Sequence, residues 1–224
     1  MNKIFSQFKQ ETIKVDLAGK SYFRGSLIDS SKEILVLFDG KDFIYIPMIH
    51  VENITVAQNE GENIQMPLTL PSFLEADNQK ELTLDEMLTQ SQGIYTEIYV
   101  ANRQPIHGLI DTVMSDYFIF HSPIYKTIYI SKQHLKWLIP YPEQKKPYDH
   151  STIDLQMGSN NSGVRHFEAL IASMVNKLVM LNLGEHTHHI GKLVQIHGKM
   201  VELRTARGNT VLLNIQHIKS LHEV

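Results

Sequence analysis

A histidine followed by an aliphatic residue, two variable positions and a second aliphatic residue occurs three times in this chain. The segments are "PMIHVENI" (47–54), "SKQHLKWL" (131–138) and "NIQHIKSL" (214–221). Their histidines, His50, His134 and His217, are 84 and 83 residues apart. A second landmark keeps the same period: Gly25 in "RGSLID", Gly108 in "HGLIDT" and Gly191 in "IGKLVQ" are 83 and 83 apart, and precede the histidines by 25, 26 and 26 residues. Two independent landmarks with one period predict a triplicated unit, and a repeat of this length decides which folds a single unit can reach.

Each unit has the same order of hydropathy patterns. A short stretch with apolar residues at helical spacing comes first: Ile4, Phe5 and Phe8; Leu84, Met87 and Leu88; Phe167, Leu170, Ile171 and Met174. Strand-like runs follow at 12–17, 94–100 and 178–183, and the glycine-bearing run comes next. Then come 33–38, 117–122 and 200–205, and after them 42–47, 126–131 and 209–214. The last run follows the histidine, at 51–56, 135–139 and 218–222. Period-two alternation, β-branched and aromatic residues, and turns such as Asp39-Gly40 and Arg207-Gly208-Asn209 mark these as strands.

Five short strands in fewer than about 60 residues are too few for two packed sheets, so a strongly bent sheet closing into a small barrel is expected. The predicted class is mainly β: three tandem five-stranded small barrels, each preceded by a short α-helix. Their boundaries are 1–56, 84–142 and 165–224, separated by an acidic linker at 57–83 and a polar linker at 143–164. The first linker carries an apolar patch, Met66-Pro67-Leu68-Thr69-Leu70-Pro71 with Phe73-Leu74, suited to docking on a neighbouring barrel. The recurrent glycine is expected at a kink in the second strand, where a side chain would clash.

Composition narrows the function. The formal net charge is −3, without the basic excess of a dedicated nucleic-acid binder. The chain has no cysteine, which excludes disulfides, thiolate nucleophiles and cysteine-ligated zinc. "MNKIFSQFKQ" holds no apolar run of signal-peptide length, and no segment approaches a membrane span, so synthesis in the cytosol and no membrane partner are expected. Lys and Arg against Asp and Glu number seven to seven in 1–56, four to five in 84–142 and seven to four in 165–224, so only the third unit is basic.

A helix, five bent strands, a glycine in the second strand and an aliphatic-x-x-aliphatic last strand resemble the Sm-like (SH3-type) barrel of ring-forming RNA chaperones. "LLNIQHIKSL" and "YISKQHLKWL" resemble the bacterial member's second signature, with His217 and His134 at its histidine position. Gln216, Gln133 and Ile49 stand where that family has a lysine, which removes a cation from the uridine- and phosphate-holding pocket. The three units, above all 166–224 with its "HIKSL" ending, also resemble the repeats of spore coat protein B. This resemblance implies a spore-coat location and assembly with coat proteins. The 224 residues hold no counterpart of that protein's serine-, lysine- and arginine-rich tail, whose role is not carried over.

No catalytic constellation repeats. Glu52 lies two residues after His50, but Lys136 and Lys219 occupy the equivalent places, so no carboxylate accompanies the histidine. The expected role of His50, His134 and His217 is to brace the turn into the last strand, with RNA contact as the functional alternative. In "EHTHH" (185–189), an extended backbone would put His186 and His188 on one side with His197 nearby, a weak zinc or nickel candidate set against an exposed polar loop. Trp137 is expected to pack at an edge or on a linker. Lys192, Lys199, Arg204 and Arg207 give the third unit a basic surface that could meet RNA or simply be solvated.

The expectation is therefore a non-enzymatic structural protein without cofactors, which assembles with itself or with coat proteins. Its candidate edges are 42–47, 51–56, 126–131, 135–139, 209–214 and 218–222. The alternative is an Sm-like RNA-binding module.

Overall fold

A computed structural model describes residues 3–8, 11–57, 64, 67, 69–70, 81–100, 104–142, 148 and 163–224. Most of both linkers, with most of the Met66–Leu74 apolar patch, therefore lies outside the described residues. Fifteen strands and two short α-helices are present among them, so the chain is mainly β. Two compact units form, 1–91 with 136–143, and 92–135 with 144–224.

The first unit contains β1 (Thr12–Leu17), β2 (Ser21–Ser30), β3 (Ile34–Phe38), β4 (Phe43–Pro47), β5 (Val51–Val56), α1 (Leu84–Gln90) and β10 (Trp137–Pro140). Its strand order is β10-β4-β3-β2-β1-β5. The second contains β6 (Tyr95–Tyr99), β7 (Ile106–Val113), β8 (Tyr117–Ser122), β9 (Lys126–Ser131), α2 (Phe167–Ser173), β11 (Leu178–Leu181), β12 (Ile190–His197), β13 (Met200–Arg204), β14 (Thr210–Asn214) and β15 (Ser220–Glu223). Its order is β14-β13-β12-β11-β15-β9-β8-β7-β6. The helix and the last strand of the second repeat therefore pack with the first repeat, and the compact units cut across the sequence repeats.

The strands match the hydropathy reading to within two residues at most ends, and two local differences have physical causes. Lys3–Phe8 is a 3-10 helix rather than an α-helix: its first turn has no acidic residue, whereas that of α1 has Asp85 and Glu86 and that of α2 has Glu168. In the third unit the first strand stops at Leu181, because Asn182, Leu183 and Gly184 all take positive φ and turn the chain.

The glycines behave as steric necessity requires. A Cβ on Gly25 would lie 2.7 Å from the carbonyl oxygen of Phe38, on Gly108 2.0 Å from that of His121, and on Gly191 2.5 Å from that of Arg204. These three carbonyls are themselves 83 residues apart, so the same contact is built three times. The second strand then shifts register between Leu27 and Asp29, between Ile110 and Thr112, and between Leu193 and Gln195, a bulge three residues beyond each glycine. Alanine substitution should destabilise in the order Gly108, Gly191, Gly25, with about 1–3 kcal/mol lost at Gly108 in urea unfolding. Unchanged stability on alanine substitution at Gly108 would contradict the steric origin.

Candidate interaction edges

Each of the three histidines ends a single 3-10 turn between the fourth and fifth strands of its repeat: Met48–His50, Lys132–His134 and Ile215–His217. The turn is the place the sequence predicts. The ring of His134 does something else: its Nε2 lies 2.9 Å from the carbonyl oxygen of Gln216, in the turn of the next repeat, and donates to it. His134 thus bonds backbone, but across a boundary between repeats rather than within its own turn. His217 occupies the equivalent place in the third repeat and is exposed.

That boundary is a strand joint. In the second unit β15 pairs antiparallel with β9, Leu221 opposite Tyr129 and Ser220 opposite Ile130. The Ser131 amide donates to the Lys219 carbonyl at 3.0 Å, and His222 Nδ1 lies 2.9 Å from the Thr127 carbonyl. In the first unit β10 pairs with β4, Leu138 opposite Tyr45. Leu138 and Leu221 are 83 apart, and Tyr45 and Tyr129 are 84 apart, so both joints use one register. All four residues are buried: Tyr45, Leu138 and Leu221 are 0% exposed and Tyr129 7%. Burial pushes the hydroxyl pKa of both tyrosines upward, and at Tyr129 the charge of Glu223 adds to the rise.

A helix cap repeats with each joint. The Leu84 amide at the start of α1 donates to Glu33 Oε2 at 2.8 Å, and the Phe167 amide at the start of α2 donates to Asp116 Oδ1 at 2.8 Å. Glu33 and Asp116 are 83 apart, so each of the first two repeats presents a carboxylate to the first turn of the next repeat's helix. At α2 the N-cap residue His166 makes no side-chain cap of its own, which leaves this task to Asp116. Asp116→Ala should therefore cost about 1 kcal/mol and Asp116→Asn less, read from thermal unfolding. An unchanged Asp116→Ala would remove the cap from the joint.

Three further side chains named from the sequence take part in the joints, with partners the sequence did not show. Trp137 on β10 is buried and packs edge-on against Phe23, ring centroids 5.0 Å apart. Lys136 Nζ donates to the Ala18 carbonyl. Its counterpart Lys219 donates to Glu185 Oε2 at 3.0 Å. The equal offsets of Tyr45 and Tyr129, and of Glu33 and Asp116, were the available signal.

The other predicted sites are less organised. Lys199 pairs with Glu168 at 2.5 Å, and Arg204 with Glu202 at 3.7 Å, so two of the four basic residues already hold carboxylates. Lys192 stands opposite Arg204 across β12 and β13, and Arg207 lies exposed in the following turn. His186, His188 and His189 do not lie on a strand. His186 precedes a 3-10 turn, Thr187–His189, that holds the other two ahead of β12, because positive φ at Asn182, Leu183 and Gly184 has already turned the chain. The rings of His186 and His188 stack with centroids 5.1 Å apart, and His189 meets both edge-on. His197 sits at the opposite end of β12 and pairs with Glu202 at 3.6 Å. Among the described residues, no three potential ligands converge as a metal site would need.

The histidine cluster does affect titration. Burial, then the charges of His188 and His186, hold the His189 imidazole below its ordinary value. Partial burial works to raise Glu185, but the hydrogen bond and charge of Lys219 outweigh it and keep that carboxyl low. Both groups bind protons less readily in the folded state. Their contribution to stability is complete above the ordinary imidazole value of 6.5 and is lost as pH falls through the folded value of His189 and then that of Glu185. The melting temperature should fall on acidification from neutrality, and His189→Gln should flatten the upper part of that fall. A profile unchanged by His189→Gln would refute its part.

Comparison with known proteins adds two findings. A family model described as the YwrJ third domain matches residues 166–221. The chain is also 33% identical over 224 residues to "Uncharacterized protein YwrJ" of Bacillus subtilis (strain 168), covering 98% of this chain and 99% of that one.

Proposed function

Because this chain belongs to the YwrJ family, over its whole length rather than in the third repeat alone, we propose that what the family shares is a scaffold: a non-enzymatic assembly protein acting through protein–protein contacts of its repeats. The observation that carries this reading is the strand joint, built twice in one register with a carboxylate cap each time. What recurs through the chain is structural: the glycine, the 3-10 turn and the edges of the fourth and fifth strands. No acid–base pair recurs with the histidines.

The resemblance of the repeats to Sm-like barrels and to spore coat protein B supports the same reading and suggests the coat of a spore as the place of assembly, with coat proteins as partners. In a spore-forming host, a tagged copy is expected in the coat extract of mature spores. Recovery solely from the soluble mother-cell fraction would remove the coat from this proposal.

RNA binding is the competing function, and salt distinguishes the two. Binding through phosphates releases counterions and must weaken steeply as salt rises. Titration with mixed single-stranded RNA at ~50 mM salt is expected to show no binding. Salt-sensitive binding that is lost in Lys192→Ala/Arg207→Ala would replace the scaffold with an RNA-binding module.

A further inference from the structure

The two joints leave a matched pair of strands over. The first repeat's fifth strand, β5, pairs with β1, and the third repeat's fourth strand, β14, pairs with β13; neither has a second partner among the described strands. These are the counterparts of the strands that meet in both joints: β4, β9 and β14 are equivalent, as are β5, β10 and β15. We propose that β14 of one copy pairs with β5 of a second copy of this chain, repeating the internal joint head to tail. This inference rests on the scaffold reading and names its partner.

Burial sets the two outer strands apart from their equivalents. Leu212, the counterpart of buried Tyr45 and Tyr129, is 54% exposed. Ile54 on β5, the counterpart of the fully buried Leu138 and Leu221, is only half-buried. Isolated edge strands are commonly blunted by lysine, proline or a bulge that twists the edge away. β5, "VENITV", bulges against β1 at Glu52 but has no lysine or proline, and β14, "TVLLN", has neither a bulge nor a charge nor a proline.

The internal joints dictate the register. Leu138 opposite Tyr45 and Leu221 opposite Tyr129 place Ile54 opposite Leu212 of the second copy. Ser220 opposite Ile130 likewise places Asn53 opposite Leu213. His217 takes the part of His134, whose Nε2 reaches the Gln216 carbonyl, so it donates to the Ile49 carbonyl of the second copy. The Ser131 amide bonds outward to the Lys219 carbonyl, and strand alternation then turns the amides of Asn214 and Leu212 outward too.

One part of the joint is not reproduced. Lys199 stands where Glu33 and Asp116 supply a carboxylate to the next helix, and a cation cannot cap a helix N-terminus. The contact between copies is accordingly weaker than the internal joints and reversible. Head-to-tail pairing either closes into a ring or continues as a filament.

Sedimentation velocity over a concentration series of the full chain, up to about 100 µM, tests this. The wild type is expected to shift from one copy towards multiples as concentration rises. Leu212→Pro removes an outward amide while sparing the ladder to β13, and should weaken association by about tenfold or more without lowering the melting temperature. His217→Ala should weaken it about fivefold, the worth of one hydrogen bond. The absence of native cysteine allows a register test: oxidised Asn53→Cys/Leu213→Cys should form multimers linked by disulfides, and Asn53→Cys/Val211→Cys should not. Should Leu212→Pro fail to fold, the cysteine pairs decide. A wild type that stays single at every concentration, association unchanged in folded Leu212→Pro, or equal cross-linking of both cysteine pairs overturns the proposal. A single-copy protein that also ignores RNA would leave the scaffold reading standing with a different partner, whereas RNA binding would end that reading itself.

Discussion

Leu138→Ala and Leu221→Ala should each cost about 2–5 kcal/mol, because both side chains are fully enclosed where two repeats meet and alanine leaves a cavity there. Ile54 holds the same position in the first repeat but lies on the outer strand β5, where it is half-buried. Ile54→Ala should therefore cost about 1 kcal/mol, in proportion to the apolar surface it hides. Three substitutions at one position of one repeat thus separate what the repeat needs for its own fold from what the joint adds. Urea unfolding measures all three. Equal losses would show that Leu138 and Leu221 serve their own repeats and that the joints contribute little.

Tyr117→Ala should be as damaging, about 3–5 kcal/mol, for a different reason. Tyr117 belongs to the second repeat, yet its ring lies 5.8 Å from Phe167 and 6.2 Å from Tyr129, within a core otherwise supplied largely by the third repeat. Its hydroxyl donates to the Val164 carbonyl at 2.5 Å. Tyr117→Phe keeps the ring and loses that bond, which is worth about 1 kcal/mol. Because Tyr117, Ile119 and Tyr129 share one apolar cluster with Phe167, Leu170 and Leu221, β8 and β11 should exchange their amide hydrogens in one cooperative opening. Distinct opening energies for these strands in the wild type, or a Tyr117→Ala loss no greater than that of Tyr117→Phe, would show that the cluster does not bind the repeats together.

The mainly β class, the strand positions and the steric purpose of Gly25, Gly108 and Gly191 were legible in the sequence. All depend on interactions close along the chain or repeated three times over. The turn before the last strand was legible too, but the bond from His134 was not. Its acceptor, the Gln216 carbonyl, is 82 residues away and carries no side-chain signature. The cap at α2 was hidden in the same way, since Asp116 lies 51 residues from the amide it receives. In "EHTHH" the alternation suggested a strand, and positive φ at Asn182, Leu183 and Gly184 turned the chain before one could form.

By itself the sequence determined the repeat, its strands and the six edges available for pairing, because periodicity, turn chemistry and the lack of a Cβ are properties of residues and their near neighbours. Only the tertiary structure decided that 43–47 meets 137–140, that 126–131 meets 220–223, and that β5 and β14 remain outermost among the described strands of their units. The physical reason lies in the backbone. Every strand edge offers the same row of amides and carbonyls, so the choice of partner falls to the surfaces around it: a buried Tyr45 or Tyr129 facing a leucine, and a carboxylate in reach of the next helix.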